Sequence, residues 1–292
     1  METVTKSIIL RPKSPYNIKQ HLENYGFKEP LPEIYDDGNW RRALRLKNGK
    51  LIPVEVEINR DANKPELKIL IHSKITRSEE TEIVEKIKWI FNTESDLKPL
   101  YKFMDSDPIL RRVKENNYGL KHCSYSTVFE GIINTIIQQQ ISLKVAFHMT
   151  SLLVKKFGEH ILINNKEFWE FPLPERLADA TVEDVKSCKL SRRKTEYIIN
   201  FSRAVTEEEF DPESLKKLNY NQITKKLMQF KGLGRWTVEI VIVTSIGLEG
   251  VSPAGDLGVR KAISHFYNND KLMSEDDVRK LTDKWGKYNG II

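Results

Sequence analysis

Near Asp96 the hydrophobic period of this chain changes from two residues to between three and four, and that switch limits its fold more than any other feature. Before it, VEVEI and LKILI set every second residue on one face, as half-buried strands do. The alternation predicts strands over 7–10, 40–46, 51–59 and 66–72, with a turn at 60–65. Asn48-Gly49 predicts a type I′ hairpin turn, which needs positive φ at both central residues. Helices are expected near 17–25 and where Ile83, Val84, Ile87, Ile90 and Phe91 recur at helical spacing. Residues 1–95 therefore read as an antiparallel sheet backed by two helices.

Beyond the switch, Asp107 reads as an N-cap with Pro108 in the first helical position. Val128, Phe129, Ile132, Ile133, Ile136 and Ile137 give the next helix a broad buried face, and it runs into Gln138-Gln139-Gln140. Ser142 reads as the N-cap of a following helix, and further helices are expected at 174–179, 181–187, 192–205 and 222–230. Residues 96–292 read as essentially all-α, so the fold class is α+β.

A chain of 292 residues, 39% hydrophobic and 30% charged, has room for two or three cored units and no apolar run of membrane-spanning length. Its start lacks the features of a secretory signal, so an intracellular, reducing location is expected. Two cysteines, Cys123 and Cys188, exclude a disulfide framework and a four-cysteine zinc or iron–sulfur site within the chain. Net charge +6 suits a polyanionic partner without naming one. No P-loop, HExxH or zinc-deaminase signature is present. The six histidines are scattered and read as structural.

FKGLGRWTVE, residues 230–239, sets Gly232-Leu233-Gly234 between two helices. Such a turn is often only a helix cap. It also exposes bare amides at the positive end of a helix dipole, a seat for a phosphate. Leu233 would anchor it in the core. Twenty-two residues after Gly234, Asp256 opens another amphipathic helix, where it reads as an N-cap and as an anion suited to catalysis.

GLGRWTVE followed by PAGDLGVRKAI resembles the helix-hairpin-helix DNA glycosylase superfamily, in its 3-methyladenine DNA glycosylase II branch. DPILRRV, FEGIINTIIQQQISLKVA, FPLPERLA and LSRRKTEYI extend the resemblance over most of 97–292. It implies a small N-terminal sheet domain like half of a TATA-binding protein. Two helical subdomains would follow, 125–247 with the hairpin, and 96–124 joined by 248–292. It further implies a monofunctional enzyme that flips an alkylated purine out of double-stranded DNA and hydrolyses its glycosidic bond in base excision repair.

By the same resemblance Asp256 is the catalytic carboxylate, and Trp236, Gln139, Gln140 and Leu257 face the substrate. Gly232, Leu233, Gly234, Arg235, Lys231 and Lys261 meet the DNA backbone. Trp236 also reads as a core aromatic closing the hairpin. Strand-cleaving branches carry a Schiff-base lysine at the Trp236 position, and tryptophan forms no imine. Gln138 reads as a solvated helix end, and Glu239 as a structural hydrogen-bonder. Lys186, Lys189, Arg192, Arg193 and Lys194 read either as a backbone track or as a solvated face. A monovalent cation, Na⁺ or K⁺, on the carbonyls of Met228, Phe230 and Leu233 is implied, and no iron–sulfur cluster. A monomer is implied, cytoplasmic or nucleoid-associated in a prokaryote and nuclear in a eukaryote.

Two departures bear on substrate choice. Ile240 and Leu257 stand where some members have pocket aromatics, and the sequence stops at KWGKYNGII where relatives continue through a last helix. The rival readings are an 8-oxoguanine-type glycosylase/lyase and a non-catalytic helix-hairpin-helix DNA-binding protein.

Overall fold

The computed structural model describes residues 6–24, 31–36, 38–59 and 61–292; the expected helix end at Tyr25 and the start of the turn at Arg60 lie outside them. Five strands form one antiparallel sheet in the order β1-β5-β4-β3-β2: β1 (Lys6–Leu10), β2 (Ile34–Asp36), β3 (Asn39–Arg45), β4 (Leu51–Ile58) and β5 (Leu67–Ile71). β2 was not foreseen, because three residues are too few for alternation to register. Ile52, Val54 and Val56 of β4 and Leu67, Ile69 and Ile71 of β5 point to one face. There they meet α1 (Ile18–Asn24) and α2 (Arg77–Ile90), whose Ile83, Ile87 and Ile90 are buried.

The Asn48-Gly49 turn departs from expectation. Only Gly49 takes a positive φ, 84°, and the loop closes through Gly49 N–H to Leu46 O and Leu46 N–H to Lys50 O. Asn48 instead accepts Lys50 N–H on its side chain, which removes the need for a second left-handed residue.

The helical region contains α3 (Lys98–Met104), α4 (Pro108–Asn116), α5 (Val128–Gln138), α6 (Leu143–Phe157) and α7 (Pro174–Ala178). It continues with α8 (Val182–Lys186), α9 (Arg192–Thr206), α10 (Tyr220–Leu227), α11 (Arg235–Val241), α12 (Leu257–Tyr267) and α13 (Glu275–Thr282). Asp107 and Ser142 cap α4 and α6 through their side chains, as read from the sequence. One core gathers α5 with α6, α9, α10 and α11; a second joins Leu97, Leu100 and Leu110 to Ala254, Ile263, Val278 and Trp285.

The region is not wholly helical. β6 (His160–Ile163) and β7 (Lys166–Trp169) form a hairpin whose Asn164 and Asn165 both take positive φ, 49° and 63°, the paired geometry expected at residues 48–49. Four-residue strands carry too little alternation to be read in advance. The hairpin packs Ile163 and Phe168 on Ala43, and Arg45 on β3 forks onto Glu170 at 2.6–3.1 Å. Arg42 of β3 grips Glu130 of α5 at 3.2–3.3 Å, with both side chains buried. Burial pushes the Glu130 carboxyl above the usual carboxylate range, and Arg42 opposes it. These contacts seat the sheet against α5, the helix that reaches the hairpin turn. Among the described residues no helix is long and apolar enough to cross a membrane.

Candidate active site

α10 and α11 meet at the Gly-Leu-Gly turn. Gly232 takes φ 94°, and a Cβ placed there would lie 2.2 Å from the Tyr197 ring, so glycine is required twice over. Leu233 is buried and its N–H reaches Phe230 O at 3.1 Å. Gly234 is the N-cap of α11 and has no side chain to cap it, whereas α5, α6, α9, α10 and α12 all begin on a side-chain cap. Space is open beyond Gly234: a Cβ there meets nothing within 4 Å. The first-turn amides of α11 are thus bare and approachable. Lys231 and Arg235 beside them are exposed; Lys261 on α12 is exposed too.

α11 runs on through a π-turn over Ile242–Ile246 and stops at Gly247, in left-handed conformation at φ 75°. Its N-terminal turn points Trp236 at Asp256. The indole Nε1–H donates to Asp256 Oδ2 at 3.0 Å. Oδ1 of the same carboxylate accepts Gly258 N–H at 2.8 Å and Val259 N–H at 3.1 Å, so Asp256 caps α12 with one oxygen and holds Trp236 with the other. Asp256 and Trp236 are half-buried, and Leu257 beside them is 51% exposed.

The glutamines divide their work differently from the expectation. Gln139 Nε2 donates to Gly232 O at 2.8 Å and to Thr237 Oγ1 at 3.1 Å, strapping the end of α5 to the hairpin. Gln140 is exposed with φ 57°. Gln138 is not a solvated helix end: it is half-buried and donates to Tyr125 Oη at 3.1 Å. The basic run at 186–194 also separates. Lys194 turns inward, donating to Ile137 O at 2.8 Å and Gln139 O at 2.6 Å, where α5 leaves carbonyls unpaired. Burial lowers its pKa. Lys186 pairs with Glu183 and Arg192 with Glu196, each within one turn of its own helix. Arg193 donates to Tyr197 Oη, and Lys189 lies 3.2 Å from His148 Nε2.

Glu239 is fully buried and accepts from Tyr220, Arg235 and Arg279. Sequence reasoning read Glu239 as a hydrogen-bonder but did not find Arg279, whose partner lies 40 residues away without a local pattern to announce it. A cleft of about 960 Å³ lies elsewhere, between α2, α3, α4 and residues 247–250. It mixes Glu85, Glu94, Asp96 and Glu249 with lysines, a poor lining for DNA phosphate, and includes neither Asp256 nor Trp236. Among the described residues no cluster of three His, Cys, Asp or Glu is arranged for a metal.

The family described as HhH-GPD superfamily base excision DNA repair protein matches residues 133–287, which hold the hairpin and Asp256. The chain belongs to this family. It is a DNA glycosylase of base excision repair. A DNA-3-methyladenine glycosylase of Bacillus subtilis is 30% identical over 207 residues, 71% of this chain and 68% of that protein. Among solved structures, a 3-methyladenine DNA glycosylase from Archaeoglobus fulgidus superposes with TM-score 0.86 at 31% identity, covering 97% of this chain and 94% of that one. An 8-oxoguanine glycosylase/lyase of Clostridium acetobutylicum, in complex with double-stranded DNA, gives TM-score 0.73 at 20% identity, covering 98% and 92%. At that identity the HhH-GPD fold alone is shared.

Proposed function

We propose that this HhH-GPD protein is a monofunctional glycosylase that releases alkylated purines of the 3-methyladenine type from double-stranded DNA, leaving an abasic site. The observation that carries this is the Trp236–Asp256 hydrogen bond: where strand-cleaving relatives need a lysine, this chain has an indole that holds the carboxylate. The bare N-terminus of α11 would take a backbone phosphate beside the lesion, with Lys231, Arg235 and Lys261 adding charge. Gln140 would enter the space left by the extruded nucleotide, as Gln139 is occupied at the hairpin.

As the C1′–N bond breaks, positive charge grows on the sugar and the Asp256 carboxylate stabilises it. Water then adds to C1′ and gives up a proton, which Asp256 can accept. An alkylated purine carries its own positive charge and leaves neutral, so no strong general acid is needed beside Asp256. The Trp236 ring face suits a cationic base. The carbonyls of Met228, Phe230 and Leu233 would hold a monovalent cation, which would add positive charge beside the hairpin; Phe230 O also accepts Leu233 N–H. Three neutral oxygens without a carboxylate fit a single charge better than a double one. The enzyme would act as a monomer inside the cell, where its DNA is.

A duplex alkylated with dimethyl sulfate tests the reading: the protein should release 3-methyladenine and leave intact, alkali-labile strands, and borohydride should trap no covalent complex. A trapped imine, or release of 8-oxoguanine from a duplex that carries it with no release from the alkylated one, would refute it. Trp236→Phe separates ring from donor. Losing one hydrogen bond to a charged, partly exposed group should slow single-turnover release roughly tenfold, about 1.4 kcal/mol, with duplex affinity unchanged. An equal fall in affinity would place the importance of Trp236 in packing.

A further inference from the structure

Glu239 lies on α11, Arg279 on α13, and the turn carrying Asp256 between them. The Arg279 guanidinium contacts all three sides. It meets Glu239 Oε1 at 3.0 Å and Oε2 at 3.1 Å, donates to Glu275 Oε1 at 2.9 Å, and reaches Ser252 O at 3.4 Å. Ser252 O also accepts Ala254 N–H, and Asp256 N–H returns to Pro253 O, so Ser252 begins the tight turn that delivers Asp256. Glu275 packs against the same turn: its Oε2 lies 2.9 Å from where a Cβ on Gly255 would stand. Tyr220 Oη and Arg235 Nε complete the donors on Glu239, each at 3.0 Å.

A buried ion pair is a poor source of stability, because desolvation consumes most of its attraction. Its geometry is what a planar fork supplies and an ammonium does not. The contacts form a closed circuit. Trp236 leads to Asp256, Asp256 to the Ser252–Gly255 turn, the turn to Arg279, and Arg279 through Glu239 back to α11. Opening it at Arg279 takes away the fork that ties Glu239 on α11 to Ser252 O. Asp256 keeps its bonds to Pro253 O, to the α12 amides and to Trp236, so the turn is held at Asp256 and loses its brace at Ser252.

We infer that Arg279, through its fork onto Glu239 and Ser252 O, is a positioning residue that fixes Asp256 relative to the hairpin. The inference rests on the Asp256 reading above. The hairpin's grip on phosphate is local and does not pass through the turn; the aim of the carboxylate does. Arg279→Lys keeps the charge and discards the fork, so it should slow single-turnover base release from dimethyl-sulfate-treated duplex 10- to 100-fold, roughly the cost of an ångström-scale misplacement. Affinity for a duplex bearing a tetrahydrofuran abasic analogue should stay within about twofold of wild type, since the phosphate seat is intact.

Enzyme in excess makes the rate constant independent of the folded fraction, so a purely structural role would lower the melting temperature and leave that constant alone. Such a result, or a parallel loss of affinity, overturns the inference. Should Arg279→Lys not fold, Glu239→Gln is read by base release and melting temperature, since Arg235 also leans on Glu239. It keeps the side-chain length, removes the charge and sets an amide N–H against the donors that surround it. Wild type and Asp256→Asn run alongside. If Asp256→Asn releases base normally, the proposed chemistry fails. If it is inactive while Arg279→Lys and Glu239→Gln match wild type, only the positioning role fails.

Discussion

Asp256→Asn should bind an abasic-analogue duplex as wild type does and release alkylated base at least ~10³-fold more slowly. Removal of one preorganised hydrogen-bond donor already costs roughly 10²–10³ in rate, and in the proposed mechanism a whole charge is removed from beside the developing cation. The substitution is informative because asparagine is among the best N-caps, so α12 keeps its start. Geometry adds a detail. With its oxygen on Gly258 N–H and Val259 N–H, the asparagine amide must face Trp236 Nε1–H at about the present 3.0 Å, donor against donor. If it flips, the cap is lost. Either way one interaction goes, and stability should fall by about 1 kcal/mol. Single-turnover release and a melting curve on one preparation measure both. Near-wild-type release would put the chemistry elsewhere, while lost binding would mean that Asp256 holds DNA.

What was legible beforehand follows sequence distance. Caps such as Asp107 and Ser142 act on amides two or three residues away, so their signals are local and survive without a fold. The sheet and α5 declare themselves by periodicity, and the hairpin by two glycines around a leucine. Asp256 could be located because its N-cap position is a local property, although its bond to Trp236 spans twenty residues. Gln139 reaches Gly232 across 93 residues, Lys194 reaches Ile137 O across 57, and Arg279 reaches Glu239 across 40. Those polar side chains carry no pattern that distinguishes an inward strap from a solvated face, and burial alone decides which they are. The same limit hid β6 and β7, whose four residues each are fixed by packing on β3.

Gly232 and Gly234 should fail in opposite ways when substituted. Gly232→Ala puts a Cβ at φ 94°, where an L-residue pays roughly 1–2 kcal/mol for the left-handed backbone. That Cβ also meets Tyr197 Cδ2 at 2.2 Å, and Tyr197 accepts a hydrogen bond from Arg193, so the ring cannot move without cost. Strain and displaced packing together should remove on the order of 2–4 kcal/mol and lower Tm by several degrees. Gly234 has φ −86°, and a Cβ there enters open space. Gly234→Val should therefore fold with at most ~1 kcal/mol lost at the N-cap, yet its branched side chain stands over the amides proposed to take the DNA phosphate. Duplex affinity at low salt should drop about tenfold or more for any sequence, because a phosphate contact carries no base information. Melting curves and titrations of both variants make a two-by-two comparison: stability falls for the first, binding for the second. Unchanged affinity in Gly234→Val would mean that the strand passes elsewhere, and the open first turn of α11 would be only a surface.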